Sequence, residues 1–418
     1  MMVTSLMELT IDLAALRHNF LQLRQRLSPG VKLLAVVKAD AYGHGLVPAA
    51  RTLAGTGAEY LGVASLEEGL ALRQEGIDLP IVLLLGIVPQ ESRAAVAADL
   101  EVILYRHDVA QALEEAGRAL GKKARAHLKV DTGMGRLGVN PSEVLPFLES
   151  LQNFANIEVL GLISHLAMAD MVDKTYTHQQ FQEFLTLLTA ARDRGWELPL
   201  SHIANSAALI ELPEGHFGMA RPGIALYGSP PAPGRSWGVD LKPVMSLTTQ
   251  VLQLKRLPPG RRISYGGTYT TTDWCDLAVL PVGYCNGYPR LLSNRGEVLV
   301  KGQRAPIRGR VCMNLIMVEV SHIEGMREGQ PVTLLGEDGG DRLTGDDLAA
   351  WAETISYEIY LLLLGDRQSP QFCGSLRWTE SRTKGNPASA WCAPGGRLAS
   401  RNLLLTDSTA WIIPGMLP

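Results

Sequence analysis

The chain has 418 residues, of which 46% are hydrophobic and 19% are charged, and its formal net charge is −3. A chain of this length exceeds the size at which a single hydrophobic core usually stops growing, so we expect two domains. The small net charge excludes a global electrostatic reason to expect nucleic acid or an anionic membrane as partner, and we expect a small-molecule partner instead.

The apolar runs and the cysteines indicate the class of protein. The longest apolar run, 81–88, is too short to span a bilayer, and the first ten residues lack the basic flank and apolar core of a secretory signal. We therefore expect a cytoplasmic protein that does not associate with membranes. The five cysteines are widely spaced without a CxxC pair, which indicates neither a disulfide framework nor a metal site.

The first half of the chain has the pattern of repeated strand–helix units. Apolar residues at helical spacing predict a leading helix over 12–27, with Thr10 or Asp12 as N-cap. Eight short apolar runs follow, and each but the last precedes a helix-compatible stretch. They predict an α/β fold with a TIM-like (β/α)8 barrel over 1–240, and an open doubly wound sheet is the alternative. The predicted strands are 31–38, 60–65, 81–86, 101–105, 125–131, 158–165, 200–205 and 220–227.

The second half of the chain has a different sequence pattern, with strand-like segments and few helix-compatible stretches. The proline- and glycine-rich run 230–238 indicates a boundary, and the strand-like segments behind it predict a mostly β domain over 241–364. A closing helix is expected over 343–364, capped by Thr344. Residues 365–418 lack periodicity, so we expect an atypical tail that is mostly mobile, unless its tryptophans Trp378, Trp391 and Trp411 dock on the domain.

Polar residues recur where the predicted barrel strands end, and this is the rim at which barrels place their active sites. Lys38 in VVKADAYGHG follows a buried run, where desolvation could make its amine an imine-forming nucleophile; a snorkelling surface charge is the alternative. Arg136 in KVDTGMGRLG could bind a small carboxylate. Gly223 and Ile224 in RPGIALYG could offer backbone N–H groups to a phosphate.

These segments, with SHLA, HIANSAA, SYGGTY, VGYCNGYPR, GRVCMN and TISYE, resemble the alanine racemase family in order and spacing over roughly residues 8 to 360. Single-domain barrels that bind pyridoxal phosphate share the lysine but lack the second domain. The resemblance implies pyridoxal 5′-phosphate as the cofactor and a homodimer with shared active sites. It also implies that L- and D-alanine are interconverted, which would supply D-alanine for peptidoglycan.

The resemblance also implies roles for individual residues. Lys38 would hold the cofactor and be the base for the D-substrate, and Tyr265 would be the base for the L-substrate on the opposite face. Arg221 would bond the pyridine nitrogen, and Arg136 with the backbone of Met313 would bind the substrate carboxylate. Lys129 would be carbamylated, or else unmodified and paired with Asp131. The remaining cofactor residues would be Tyr42, His165, Asn205, Ser206, Gly223, Ile224 and Tyr357, and Tyr284, Arg290 and Arg310 would line the substrate entrance and the subunit contact.

Two departures from the family pattern stand out. Asn286 and Asn314 replace aspartates that the family usually carries, and the family ending after TISYE is replaced by an unrelated tail. Two alternatives to an alanine racemase stay open: a racemase of broader or serine-preferring specificity, and a non-catalytic pyridoxal-phosphate carrier.

Overall fold

The computed structural model describes residues 6–364 and 374–379. Its first domain contains a curled parallel sheet of seven strands, in the order β7-β6-β5-β4-β3-β2-β8. This arrangement confirms the predicted α/β fold class. The strands are β2 (Lys32–Val36), β3 (Tyr60–Val63), β4 (Ile81–Leu83), β5 (Leu100–Leu104), β6 (Ala124–Lys129), β7 (Ile157–Ile163) and β8 (Met219–Ala220).

Helices pack around this sheet. The leading helix begins one residue after Asp12, whose carboxylate accepts the backbone N–H groups of Ala14 and Ala15 at 2.8 and 3.0 Å, so Asp12 and not Thr10 is the cap. The helices are α1 (Leu13–Arg24), α3 (Leu46–Thr56), α4 (Leu66–Gln74), α5 (Ser92–Ala97), α6 (His107–Leu120), α7 (Val144–Leu151), α8 (Thr175–Asp193) and α9 (Ser206–Glu211). The short element α2 (Lys38–Gly43) has left-handed backbone angles over most of its length.

The segment 200–205 closes the barrel, although it forms an isolated bridge between His202 and Ile163 and not the strand that we predicted. On one side, His202 N–H donates to Leu162 O at 2.9 Å. On the other side, Arg221 N–H donates to Ala204 O at 2.9 Å. Backbone hydrogen bonds through the segment 200–205 therefore connect β7 to the chain at the end of β8.

The predicted strand 220–227 is wrong over most of its length. The strand ends at Ala220, and Ile224–Tyr227 is a 3₁₀ turn. Pro222 has no N–H to donate to a strand partner, so the ladder cannot continue through it. The turn places Gly223 and Ile224 at the barrel rim.

The second domain is mostly β, as predicted. Its largest sheet has the order β15-β14-β17-β9-β1-β19, with β18 paired to β17, and β10-β13-β16 and β11-β12 form two smaller sheets. Strand β1 (Met7–Asp12), which we did not predict, joins this sheet before the chain enters the barrel. The other strands are β9 (Met245–Gln250), β10 (Gln253–Leu257), β11 (Arg262–Ile263), β12 (Tyr269–Thr270), β13 (Cys275–Leu280), β14 (Glu297–Val300), β15 (Gln303–Pro306), β16 (Ile316–Glu319), β17 (Pro331–Asp338), β18 (Asp341–Leu343) and β19 (Gly374–Thr379).

The closing helix expected over 343–364 is two helices, α10 (Gly345–Trp351) and α11 (Ser356–Leu364). Glu353 breaks the run with a left-handed φ of 55°. Thr344 caps α10 as predicted, since its hydroxyl accepts the N–H of Asp347 at 3.1 Å. None of the described helices combines the length and the apolar composition that a bilayer-spanning segment requires.

The predicted mobile tail contains strand β19, which pairs parallel to β1 over six residues. This segment corresponds to the alternative in which a tryptophan of the tail docks, since the indole N–H of Trp378 donates to His44 O. A strand can form here without an apolar period of its own because a sheet edge offers backbone hydrogen bonds. Residues 365–373 and 380–418, including Trp391 and Trp411, lie outside the described residues.

Candidate active site

A cavity of about 460 Å³ lies at the carboxyl ends of the barrel strands, a volume typical of small-molecule sites. It brings together most of the barrel residues singled out in the sequence, which come from α2, β6, α9, the turn after β8 and the intervening loops, and adds one residue from α11 of the second domain. These residues are Lys38, Tyr42, Lys129, Arg136, His165, Asn205, Ser206, Arg221, Gly223, Ile224 and Tyr357.

Lys38 begins a turn with unusual backbone geometry. The four residues Ala39 to Tyr42 have φ between 51° and 55°, which is left-handed for L-residues and costs about 1–2 kcal/mol each. The Asp40 carboxylate accepts the N–H of Leu46 at 2.6 Å and so ties this turn to α3. The turn brings both Lys38 and Tyr42 to the cavity within five residues of chain.

The Lys38 amine is suited to act as a nucleophile and base. Burial is the main cause that lowers its pKa, and Arg136 and Arg221 lower it further, whereas Glu68 raises it. A lowered pKa increases the fraction of neutral amine near neutral pH, and only the neutral form can attack a carbonyl or take a proton.

The buried side chain of Arg221 lines the cavity. Its Nη2 donates to Ser164 O at 2.8 Å and to Ile203 O at 3.3 Å. Nη2 also lies 3.4 Å from Nδ1 of His165, and because a guanidinium can only donate, Nδ1 must be the acceptor. Burial lowers the pKa of Arg221 to about 9, so it remains a cation at neutral pH.

One nitrogen of Arg221 has no acceptor among the described residues. Within the part of the chain that the structure describes, buried Nη1 makes no hydrogen bond. A buried N–H group without a partner is costly, so this atom indicates that a ligand with an acceptor atom belongs here. Burial, followed by Arg221, lowers the pKa of His165 well below its usual value, which keeps the imidazole neutral beside that ligand.

Hydroxyl and backbone groups converge at another end of the cavity. Gly223 N–H donates to Ser206 Oγ at 2.9 Å, and the rings of Tyr42 and Tyr357 lie 5.8 Å apart. A Cβ on Gly223 would lie 2.3 Å from Tyr42 Oη, so only glycine allows this approach. Burial raises the pKa of Tyr42, and raises that of Tyr357 to about 12, so both hydroxyls keep the proton that an anionic ligand would accept.

Lys129 is partly buried beside this site. Burial is the main cause that lowers its pKa well below the usual value, and Arg221 and Arg136 add to it. The rival partner, Asp131, uses Oδ1 to accept the N–H groups of Gly133, Met134 and Gly135 and uses Oδ2 to accept that of Arg136, over 2.8–3.0 Å. Its carboxylate therefore holds the 133–136 loop.

Apart from Tyr357 on α11, the predicted residues of the second domain do not reach this cavity. Tyr265, Met313 and Tyr284 are exposed by 71%, 55% and 43% of their surface, and none of them lines it in the described chain. Neither do Arg290 and Arg310.

These second-domain segments nevertheless lie against one another. Ser264 Oγ donates to Arg310 O at 2.7 Å, and Tyr284 N–H donates to Cys312 O at 3.1 Å. We call the exposed surface around Tyr265, Tyr284, Arg310 and Met313 the tyrosine face.

Sequence reasoning missed several residues of the site. Leu84 and Asp170 line the cavity, and Glu68 holds the turn after Lys38. The strand-end rule could have found Leu84, which directly follows β4. The signal for Glu68 was its place three residues after Ser65, the arrangement of a capping box.

Comparisons with known proteins agree with this geometry. Residues 11–231 match the family "Alanine racemase, N-terminal domain", and residues 244–369 match "Alanine racemase, C-terminal domain". The chain belongs to the alanine racemase family.

Individual members of the family match along most of the chain. An alanine racemase of Syntrophobacter fumaroxidans is 47% identical over 84% of this chain and 93% of its own length. One of Halothermothrix orenii is 44% identical over 84% and 92%. Among solved structures, an alanine racemase of Clostridium difficile superposes with a TM-score of 0.83 at 32% identity, covering 93% of this chain and 98% of its own. The structure of a Bacillus anthracis alanine racemase with bound L-Ala-P gives a TM-score of 0.82 at 31% identity, with the same coverage.

Proposed function

We propose that this chain is a pyridoxal-phosphate-dependent enzyme that interconverts L- and D-alanine. The observation that carries the proposal is the presence of the Lys38 amine and of Arg221 in one cavity, where Nη1 of Arg221 has no hydrogen-bond partner among the described residues. Family membership adds that the relatives of similar length bear the name alanine racemase.

The residues around the cavity fit pyridoxal phosphate. An unprotonated pyridine nitrogen is an acceptor of the kind that Nη1 of Arg221 lacks. Tyr42 and Tyr357 offer hydroxyl protons, and Ser206, Gly223 and Ile224 offer polar groups of the hydroxyl and backbone type that phosphate requires. Lys38 supplies the amine for covalent attachment, and Asn205 caps α9 beside Ser206.

When bound, pyridoxal phosphate draws electrons from the substrate Cα–H bond and so acidifies that proton. Arg221 moderates this effect because a guanidinium does not readily give up a proton to the ring nitrogen. The weaker withdrawal favours prompt return of a proton to Cα over transfer of the amino group.

Racemisation requires bases on both faces of Cα. Lys38 takes or returns the proton on the face of the D-enantiomer, and Tyr265 does so on the face of the L-enantiomer. Arg136 binds the substrate carboxylate, together with the backbone of Met313 on the tyrosine face.

Exposure of the tyrosine face supports a homodimer with shared sites. Tyr265 is 71% exposed and is not among the described residues that line the cavity of its own chain, which supports the proposal that a second copy brings it to Lys38. The same arrangement puts Tyr284, Arg290 and Arg310 at the subunit contact and the substrate entrance. A cytoplasmic enzyme of this kind supplies D-alanine for peptidoglycan.

The test is an absorbance spectrum followed by racemisation assays over a panel of L-amino acids. We expect the yellow absorbance of a lysine-bound cofactor, and borohydride should fix the label on Lys38. Alanine should be the preferred substrate. A label on another lysine contradicts the assignment of Lys38, a preference for serine supports the broader racemase, and cofactor binding without racemisation supports the carrier.

A further inference from the structure

Glu68 lies in the first turn of α4, and its carboxylate joins two strand ends. Oε1 accepts the N–H of Asp40 at 3.2 Å, and Oε2 accepts the N–H of Ala64 at 2.7 Å. Asp40 lies two residues after Lys38, inside the left-handed turn, and Ala64 directly follows β3. One carboxylate therefore ties the turn that begins at Lys38 to the neighbouring strand of the barrel.

The left-handed turn needs such a tie. Four consecutive L-residues with φ between 51° and 55° hold that geometry only where surrounding contacts compensate for its cost. Glu68 accepts the backbone N–H of one of these four residues, and the bond to Ala64 fixes Glu68 to the barrel. Hydrogen bonds to an ionised acceptor are about twice as strong as neutral ones.

The charge of Glu68 also acts on the lysine itself. Burial, Arg136 and Arg221 lower the pKa of Lys38, and Glu68 opposes them. The neighbouring Lys129 and His165 have pKa values that burial lowers well below their usual values, so neither is expected to add a full positive charge near neutral pH.

We propose that Glu68 is a positioning residue for Lys38: its carboxylate holds the left-handed turn in place, so that the Lys38 amine meets one face of the substrate. This inference rests on the proposed racemase function. Because Lys38 serves the D-enantiomer, loss of Glu68 should impair proton abstraction from D-alanine and spare abstraction from L-alanine, in which Tyr265 is the base.

Steady-state kinetics alone cannot show this asymmetry. The two enantiomers have equal free energies in water, so kcat/KM must be the same in both directions. The experiment is therefore single-turnover loss of deuterium from D- and L-alanine labelled at Cα, measured with the holoenzyme over a range of pH.

The test variant is Glu68→Gln, which keeps the side-chain size but removes the charge and turns an amide N–H₂ towards a backbone donor. We expect deuterium loss from D-alanine to fall by about ten- to a hundredfold more than loss from L-alanine, as for a misplaced catalytic group. The pH midpoint of deuterium loss from D-alanine should move to lower pH, because the variant lacks the carboxylate that raises the pKa of Lys38. The control is Glu67→Gln, at the exposed neighbouring position, which should change neither reaction.

A second variant separates the effect of the negative charge at position 68 from the effect of the side-chain length. Glu68→Asp keeps the anion but is one methylene shorter, so it should restore the pH midpoint and leave the D-selective loss of rate. If circular dichroism shows that Glu68→Gln is unfolded, the test rests on Glu68→Asp, in which deuterium loss from D-alanine should fall more than loss from L-alanine. Equal losses with both enantiomers, or none, would overturn the role of Glu68. If the wild-type enzyme does not racemise alanine, the proposed function itself is overturned, and with it the role of Glu68.

Discussion

The indole N–H of Trp378 donates to the backbone oxygen of His44, 3.2 Å away. The same ring covers Gly45, where a Cβ would lie 3.1 Å from it. Trp378 lies on β19, and His44 lies six residues after Lys38. A strand from the unusual C-terminal segment therefore contacts the chain that leaves the Lys38 turn.

We predict that this strand supports cofactor binding and that the chain beyond it does not. A chain ending at residue 379 should bind pyridoxal phosphate like the full protein, whereas a chain ending at residue 364 should bind it more weakly and unfold at lower temperature. Trp378→Ala should cost roughly 0.5–3 kcal/mol of stability, and Trp378→Phe should cost less because the ring packing stays. Cofactor titration and thermal unfolding measure both effects. Equal cofactor affinity in the two truncated chains would contradict the prediction.

Replacing Tyr265 should have a one-sided effect. Tyr265→Phe removes the hydroxyl but keeps the ring, so proton abstraction from L-alanine should fall by roughly a hundred- to ten-thousandfold, the range for a lost general base. Abstraction from D-alanine should fall far less, since Lys38 performs it. Single-turnover deuterium loss from each labelled enantiomer measures this. Small and equal losses would mean that another group faces Lys38.

Gly223→Ala should weaken cofactor binding. Its Cβ would lie 2.3 Å from Tyr42 Oη, so Tyr42 must leave the phosphate end of the cavity. We expect about a tenfold loss of affinity, the effect of roughly one lost hydrogen bond to a charged group. The matched control is Gly55→Ala in α3, where no atom of the described residues lies within 4 Å of the new Cβ and where alanine should stabilise the helix slightly. Titration of the apoenzyme with pyridoxal phosphate compares them, and equal affinities would contradict our assignment of the phosphate end.

Lys129 should carry a carbamate. Burial lowers its pKa, which favours the neutral amine that reacts with CO₂, and the resulting anion would compensate the charges of Arg221 and Arg136. Labelling with ¹³C-bicarbonate should give a carbamate resonance that is absent in Lys129→Ala. Lys122→Ala, at a half-buried lysine that is paired with Asp99, should keep the resonance. If the wild type shows no such signal, Lys129 is unmodified.

The sequence predicted the fold class well because its signals are local. Buried apolar runs and turn residues mark strands and helices wherever tertiary contacts agree with them. It failed where distant backbone decides the structure. Segment 200–205 is defined by hydrogen bonds to chain on both sides, and β19 is a strand only because the edge of β1 is free to pair with it.

In the candidate site too, the sequence predicts the residues with local signals and misses the features that depend on distant contacts. Lys38, Lys129 and Arg221 could be found because they lie at the ends of recognisable strands in family motifs. The left-handed turn after Lys38 could not, because Ala39, Asp40, Ala41 and Tyr42 are not residues that favour positive φ as a run. The bond from Glu68 to that turn follows from a contact between elements 28 residues apart in sequence.

The separation of Lys38 from Tyr265 has a genetic consequence. Two inactive proteins, Lys38→Ala and Tyr265→Phe, carry their lesions on opposite sides of the proposed subunit contact. In a mixed dimer one site would receive both lesions and the other would receive neither. Unfolding and refolding the two together in equal amounts should therefore recover roughly a quarter of the wild-type activity, since half of the dimers would hold one intact site of two. Complementation of this kind lets two defective alleles support growth where neither does alone.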